Sequence, residues 1–181
     1  MQTKSPIFWI TGVPGAGKSS VSVALMQRFP FGLHLAIDDI RERVVSGMAD
    51  PIPGWTDETG RQFGLARQSA SHIARIYSDA GFAVAIDDII FPHEVQALCD
   101  EWLPDYPIGK VFLQPEVDVA LVRNATRTNK LFDTSILVDV IIRLHQSLAA
   151  QNFAESGWLI IDTSEIDVEQ TVDEILKRFT W

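Results

Sequence analysis

The sequence predicts an α/β protein in which a parallel sheet is covered by helices on both faces, and three observations predict it. Five short apolar runs alternate with helical patterns: Ile7–Thr11, His34–Ile37, Phe82–Ile86, Lys110–Leu113 and Trp158–Ile161. The first run passes directly into a glycine-rich segment, GVPGAGKS at Gly12–Ser19, which opens a helical pattern. The second and third runs end on the same pentapeptide, AIDDI, at Ala36–Ile40 and Ala85–Ile89.

Each element has its own signal. After the glycine-rich segment, Val21, Ala24 and Leu25 share one helical face, and Pro30 ends the helix. Met48–Gly60 holds two prolines, two glycines and Trp55, and reads as a loop. A long helix follows with the stripe Ala66, Ala70, Ile73, Ala74 and Tyr77, stopped by Gly81. Cys99, among Val95, Leu98 and Trp102, reads as a buried apolar residue. A helix starting near Pro115 is broken by the polar stretch Asn124–Asp133, and another begins near Ser135 with the stripe Leu137, Val140, Ile141, Leu144 and Leu148. Asp167 and Gln170 have capping-box spacing before a helix that presents Val172, Ile175, Leu176 and Phe179.

Bulk properties set outer limits. A chain of 181 residues with 46% apolar residues fits one domain with a full core. The net charge of −9 argues against nucleic acid as a partner, because a phosphate backbone requires clustered Lys and Arg. A single cysteine makes no internal disulfide, and no apolar run approaches the roughly 18 residues that span a bilayer. The run Ile7–Ile10 is too short for a signal peptide. A cytoplasmic protein is therefore expected, with no membrane partner.

The glycine-rich segment satisfies G-x-x-x-x-G-K-[ST] through Gly12, Gly17, Lys18 and Ser19. Gly12, Gly15 and Gly17 permit the left-handed backbone and close approach that a phosphate cradle needs. Val13, Pro14, Ala16 and Ser20 complete the predicted cradle, whose backbone N–H groups and helix N-terminus face the anion. Lys18 is placed to neutralise the β- and γ-phosphates, and the Ser19 hydroxyl to ligate Mg²⁺, so ATP with Mg²⁺ is the expected ligand.

The two acidic pairs fall where strands of an open α/β sheet meet their ligand, outside the carboxyl ends. Phosphoryl transfer requires one carboxylate to hold Mg²⁺ and another to orient or deprotonate the attacking hydroxyl. Asp87 fits the metal position, and Asp38 the base or substrate-hydroxyl position. Asp39 and Asp88 read equally as substrate residues or as helix N-caps. Arg41 reads equally as an acceptor-anion ligand or a solvated helix residue, and Trp55 as a substrate cover or a loop anchor. In the polar stretch near 124–133, Arg127 and Lys130, with Arg123 just before it, suggest a lid that closes over the phosphates. Arg127 is the better placed for transfer, since Arg123 still fits the preceding helix and is a nucleotide contact. His34, His72, His93 and His145 lack metal spacing and are expected to be structural or surface residues. The segment Asp162–Glu165 follows the fifth strand, either as an ordinary turn or beside a nucleotide base.

Together, GVPGAGKS, Asp38 about twenty residues after the lysine, the second AIDDI, the basic interruption and the DTS at Asp162–Ser164 resemble the small P-loop kinases. Among these the chain is most similar to the chloramphenicol phosphotransferase group. The resemblance implies a nucleoside-monophosphate-kinase-like, three-layer P-loop NTPase fold with sheet order 2-3-1-4-5. It also implies ATP as donor, a small-molecule hydroxyl (antibiotic, sugar or nucleoside-like) as acceptor, and Asp38 as general base. Pro14-Gly15 within the loop, Asp39 after Asp38 and the PIPGWTDETG segment depart from that group's pattern. Two competing expectations are a nucleotide switch acting on a protein partner and a nucleotide or polynucleotide kinase. The acidic balance opposes the polynucleotide form.

Overall fold

A computed structural model of the chain describes residues 4–126 and 134–180. Strands and helices alternate as β1 (Ile7–Thr11), α1 (Lys18–Met26), β2 (Gly32–Ala36), α2 (Ile37–Arg41), α3 (Asp57–Asp79), β3 (Ala83–Asp88), α4 (Pro92–Trp102), β4 (Ile108–Leu113), α5 (Val117–Ala125), α6 (Val138–Ala149), β5 (Leu159–Ile161) and α7 (Val168–Arg178). The sheet order is β2-β3-β1-β4-β5, with every pairing parallel, as the resemblance implied. β1 lies at the centre because all five of its residues are apolar or, like Thr11, hydrogen-bonded within the core. Helices α1 and α7 pack together on one side, and α3 and α4 on the other. Each fully buried isoleucine of this core, such as Ile7 or Ile10, contributes about 1.5–3 kcal/mol.

Register sets the site. Ile10 lies opposite Asp87, Thr11 opposite Asp88, and Asp87 opposite Ala36. The loop leaving β1 and the acidic end of β3 are therefore level at one rim. The Thr11 hydroxyl reinforces this by donating to the Ile90 carbonyl at 3.0 Å while accepting from the Ile90 N–H.

Local signals account for most boundaries. The Asp167 side chain accepts from the Gln170 N–H and Gln170 returns the bond, forming the expected capping box of α7. Gly81, at φ 91°, stops the chain after α3. Cys99 is buried, and burial pushes its thiol up to about 11, which agrees with an inert apolar role.

Two boundaries differ from expectation. The loop expected over 48–60 ends at Thr56, because Thr56 and Thr59 form a capping box that starts α3 at Asp57. Gly60 thus lies in the first turn of a helix, where its missing side chain leaves room for the Trp55 indole, 3.3 Å from where a Cβ would stand. Strand β2 ends at Ala36, so Asp38 sits in the first turn of α2 and not at a strand tip. Acidic side chains there favour the helix, as they oppose the positive end of its dipole.

Candidate active site

The phosphate loop has the backbone its glycines allow, with φ of 155° at Gly12, 87° at Gly15 and 94° at Gly17. Val13 and Ala16 are buried and pin the loop to the core, while Pro14 is half-buried and Ser19 and Ser20 are exposed. Gly17 caps α1, and no side chain satisfies that N-terminus, so its N–H groups and dipole remain aimed at an anion. The Lys18 ammonium donates to the Gly12 carbonyl at 2.8 Å and the Val13 carbonyl at 3.3 Å, which holds it over the loop. A Cβ on Gly15 would run into the Ala120 carbonyl of α5. Gly15→Ala is expected to displace the loop from α5 and weaken nucleotide binding at least about tenfold, as strain at a left-handed position adds to the clash. Calorimetric ATP titration checks this, and unchanged affinity would remove Gly15 from the cradle.

Asp87, the penultimate residue of β3, lies beside this loop. Burial pulls its carboxyl upward, but the His34 hydrogen bond, the Lys18 charge and the Ser19 hydroxyl outweigh that effect and hold it below its ordinary value. An ionised carboxylate thus stands next to the hydroxyl expected to ligate Mg²⁺. This donor set fits a P-loop magnesium, which takes one or two protein oxygens, phosphate oxygens and water. Among the described residues no cluster of three His, Cys, Asp or Glu side chains forms an all-protein cage.

Asp38 and Asp39 project from α2, with Ala36 as N-cap, so Asp39 lies inside the helix and does not cap it. The Asp38 carboxylate is 59% exposed and 3.8 Å from an Arg41 terminal nitrogen. Its charge is also felt at Asp88, which locates it on the same rim. Asp39 lines a shallow cavity of about 290 Å³ with His34, Leu35, Ala36, Ile40 and Arg43.

Two of the expected substrate residues have other partners. Asp88 is buried, its Oδ2 accepting from Arg67 Nε at 2.6 Å and its Oδ1 from the Ile89 N–H at 2.7 Å. Asp88 is thus shut off from solvent and committed to the Arg67 ion pair, which corrects the expectation that it meets substrate. Nor does it cap a helix, since the α4 N-terminus is closed by Glu94 accepting from the Phe91 N–H. Arg41 is only 4% exposed, stacks over Phe63 with 3.8 Å to the ring centroid, and donates to the Ala49 carbonyl at 2.8 Å. The solvated alternative for Arg41 is thereby overturned: it ties α2 to the following loop. Trp55 is the other partner of that ring, stacking on Phe63 at 4.9 Å and 22° while staying 59% exposed.

With this geometry in place, comparison with known proteins adds the family. A family model described as an AAA domain matches residues 7–150. The chain belongs to that family. It is 26% identical over 179 residues to the adenylyl-sulfate kinase of Staphylococcus carnosus, covering 96% of this chain and 83% of that protein. The adenylyl-sulfate kinase of Vibrio cholerae is 29% identical over 125 residues, covering 68% of this chain, which spans about half (55%) of that relative's length. The fold is shared with the tunicamycin resistance protein of Deinococcus radiodurans, at TM-score 0.66, 16% identity and coverage of 97% and 95% of the two chains. It is equally shared with the Mycobacterium tuberculosis APS kinase in complex with AMPPNP and APS, at TM-score 0.66, 14% identity and 97% of each chain. These matches bear out the expected P-loop kinase family at that level.

The AAA domain's far wall has its own order. Arg123 donates to the Thr163 carbonyl at 2.7 Å and to its hydroxyl at 3.3 Å, tying α5 to the loop after β5. Ser164 donates to Asp162 at 2.6 Å and accepts from the Glu116 N–H at 2.8 Å, so this turn is built and not merely a connection. Arg127 and Lys130 lie outside the described residues. No helix among the described residues is long and apolar enough to cross a membrane.

Sequence reasoning missed two residues of this rim. His34 Nε2 meets Asp87 Oδ2 at 2.7 Å, because β2 pairs with β3 so that His34 stands two residues before the partner of Asp87. Arg67, from α3, joins Asp88, Glu94 and the Ile89 carbonyl. A histidine on the Asp-facing side of the neighbouring strand was the available signal for the first. For the second there was none, since Arg67 reads as one more charge on a helix. Loss of His34 is expected to loosen Asp87. If Asp87 holds Mg²⁺, His34→Ala should weaken Mg²⁺-dependent ATP binding by about 10- to 100-fold, the usual cost of removing the partner of a metal ligand. Titrating Mg²⁺ against nucleotide affinity measures it, and an unchanged midpoint would count against that role.

Proposed function

We propose that this AAA-domain protein is an ATP-dependent kinase that transfers the γ-phosphoryl group to a hydroxyl of a small molecule. The observation that carries it is the contrast in environment between two carboxylates at one rim. Asp87 is held ionised by His34, Lys18 and Ser19, whereas Asp38 is exposed toward solvent and free of any tight pair. Lys18 and the uncapped N-terminus of α1 would bind the β- and γ-phosphates, with Gly12–Ser20 as the cradle. Ser19 and Asp87 would hold Mg²⁺, which supplies charge neutralisation across the phosphate oxygens when bound. Asp38 would accept the proton of the acceptor hydroxyl or orient it in line with the γ-phosphorus. Arg123, fixed by Thr163, supports the nucleotide side, and Arg127 is assigned the transition-state charge from its place in the polar stretch over 124–133.

The test is a phosphoryl-acceptor screen with ATP and Mg²⁺, using Lys18→Ala as the blank. The panel spans chloramphenicol, sugars, nucleosides, nucleoside monophosphates and adenylyl sulfate, the last because relatives carry it in their name. Lys18-dependent phosphorylation of one class is the expected result. ATP hydrolysis with no acceptor phosphorylated, accompanied by nucleotide-dependent capture of a protein, would favour the switch instead.

A further inference from the structure

The acceptor side of the rim is built from α2, the loop after it and the first half of α3. Three of its four arginines are committed. The Arg41 guanidinium lies against Phe63, bonds the Ala49 carbonyl and has Asp38 at 3.8 Å. Its remaining Nε is without a hydrogen-bond partner, but it is shut off from solvent and so from an acceptor. Arg61 makes two bonds of 2.8 Å to Glu58. Arg67 is neutralised by two carboxylates, Asp88 and Glu94, each at 2.6 Å. The exposed Arg43 shares its cavity with Asp39. Set against these, Glu42, Asp50 and Asp57 add negative charge without a salt bridge among the described residues.

An anionic acceptor would have to leave water for this wall without gaining charge-assisted hydrogen bonds from Arg41, Arg61 or Arg67, while facing both the carboxylate surplus and the triphosphate. An uncharged molecule pays no such cost. The apolar feature of the wall is equally specific. Asp38 adjoins Arg41, Arg41 covers Phe63, and Phe63 carries Trp55, an exposed residue. An exposed aromatic face, tied to the element that carries the proposed base through the buried Arg41 and Phe63, suits the face of a ring.

Resting on the kinase reading above, we propose that the acceptor is an uncharged hydroxyl compound whose ring lies on Trp55, and that phosphate, sulfate and carboxylate-bearing acceptors are discriminated against. In the step, the acceptor oxygen forms a bond to the γ-phosphorus, the bond from that phosphorus to the bridging oxygen of ADP breaks, and the hydroxyl proton passes to Asp38. The products are a phosphate monoester and ADP.

Two measurements test it. In the first, acceptors are compared in matched pairs, p-nitrophenyl glucoside against p-nitrophenyl glucuronide and adenosine against AMP and adenylyl sulfate. The neutral member of an accepted pair should lead by at least about tenfold in kcat/KM, since like-charge juxtaposition costs several kcal/mol. Trp55→Ala should raise the acceptor KM while sparing the KM for ATP. Faster transfer to the anionic member would overturn the inference while leaving the kinase reading intact. The second measurement needs no turnover. The fluorescence lost in Trp55→Phe isolates the Trp55 signal, and its quenching by iodide and by caesium is normalised to free N-acetyltryptophanamide. Iodide should be at least about threefold the poorer quencher at low salt, because an acidic wall repels it. Equal or better quenching by iodide would overturn the charge argument whether or not the protein is a kinase.

Discussion

Asp38→Asn is expected to slow phosphoryl transfer by about 10²- to 10⁴-fold, the usual worth of a positioned general base, while ATP and Mg²⁺ bind nearly as before. The size follows from chemistry and the selectivity from structure. Asn keeps the shape and a hydrogen-bond acceptor but cannot take a proton at neutral pH. The side chain is 59% exposed and its Arg41 contact is long at 3.8 Å, so folding stability should change by less than about 1 kcal/mol. Arg41 loses little, since its stack on Phe63 and its bond to Ala49 are independent of Asp38. Asp39→Asn is the control, because Asp39 is the neighbouring exposed carboxylate of the same helix and lines the cavity with Arg43. Initial rates at saturating ATP, with a thermal melt of each variant, separate the outcomes. Undiminished turnover in Asp38→Asn would remove it from the chemistry.

Arg67→Ala is expected to act oppositely, through stability. Arg67 is one-tenth exposed at its side chain and Asp88 only 3%, and the pair is joined by Glu94 and the Ile89 carbonyl. Burial already pushes the Asp88 carboxyl up from its ordinary value, against the pull of Arg67. Removing the guanidinium leaves an uncompensated buried group, which costs about 3–5 kcal/mol. For a chain of this size that lowers Tm by about 6–20 °C. Adding Asp88→Asn to this variant should restore part of the loss, since the orphaned charge is gone. A melt within about 1 kcal/mol of wild type would show that the network contributes little. Because Asp88 adjoins Asp87, ATP binding in Arg67→Ala should be assayed well below its lowered Tm.

Much of this protein was legible along the chain because the relevant physics is local. The G-x-x-x-x-G-K-S spacing dictated a left-handed, phosphate-facing backbone, and β1 is the Ile7–Thr11 run the sequence predicts. Capping spacing likewise located α7. The β2-β3-β1-β4-β5 order was different: it followed from resemblance, since apolar runs alone do not say which strands adjoin.

The twin AIDDI segments show where local reading ends. In the first, Ala36 ends β2 and Ile37–Ile40 open the helix α2, whereas in the second Ala85–Asp88 continue the strand β3. Of the two second aspartates, Asp39 is exposed and Asp88 is buried against a guanidinium supplied from 21 residues away. Of the first, Asp38 is open to solvent, whereas Asp87 is gripped by a histidine 53 residues distant. Identical sequence sets identical conformational preferences. Edge or interior position in the sheet, and the charges brought to each carboxylate by distant segments, decide burial and protonation. The chain by itself therefore specified a phosphate cradle with acidic groups at its rim, and the tertiary structure decided which acid is held ionised beside that cradle, which stays open to solvent and which is locked in a buried ion pair.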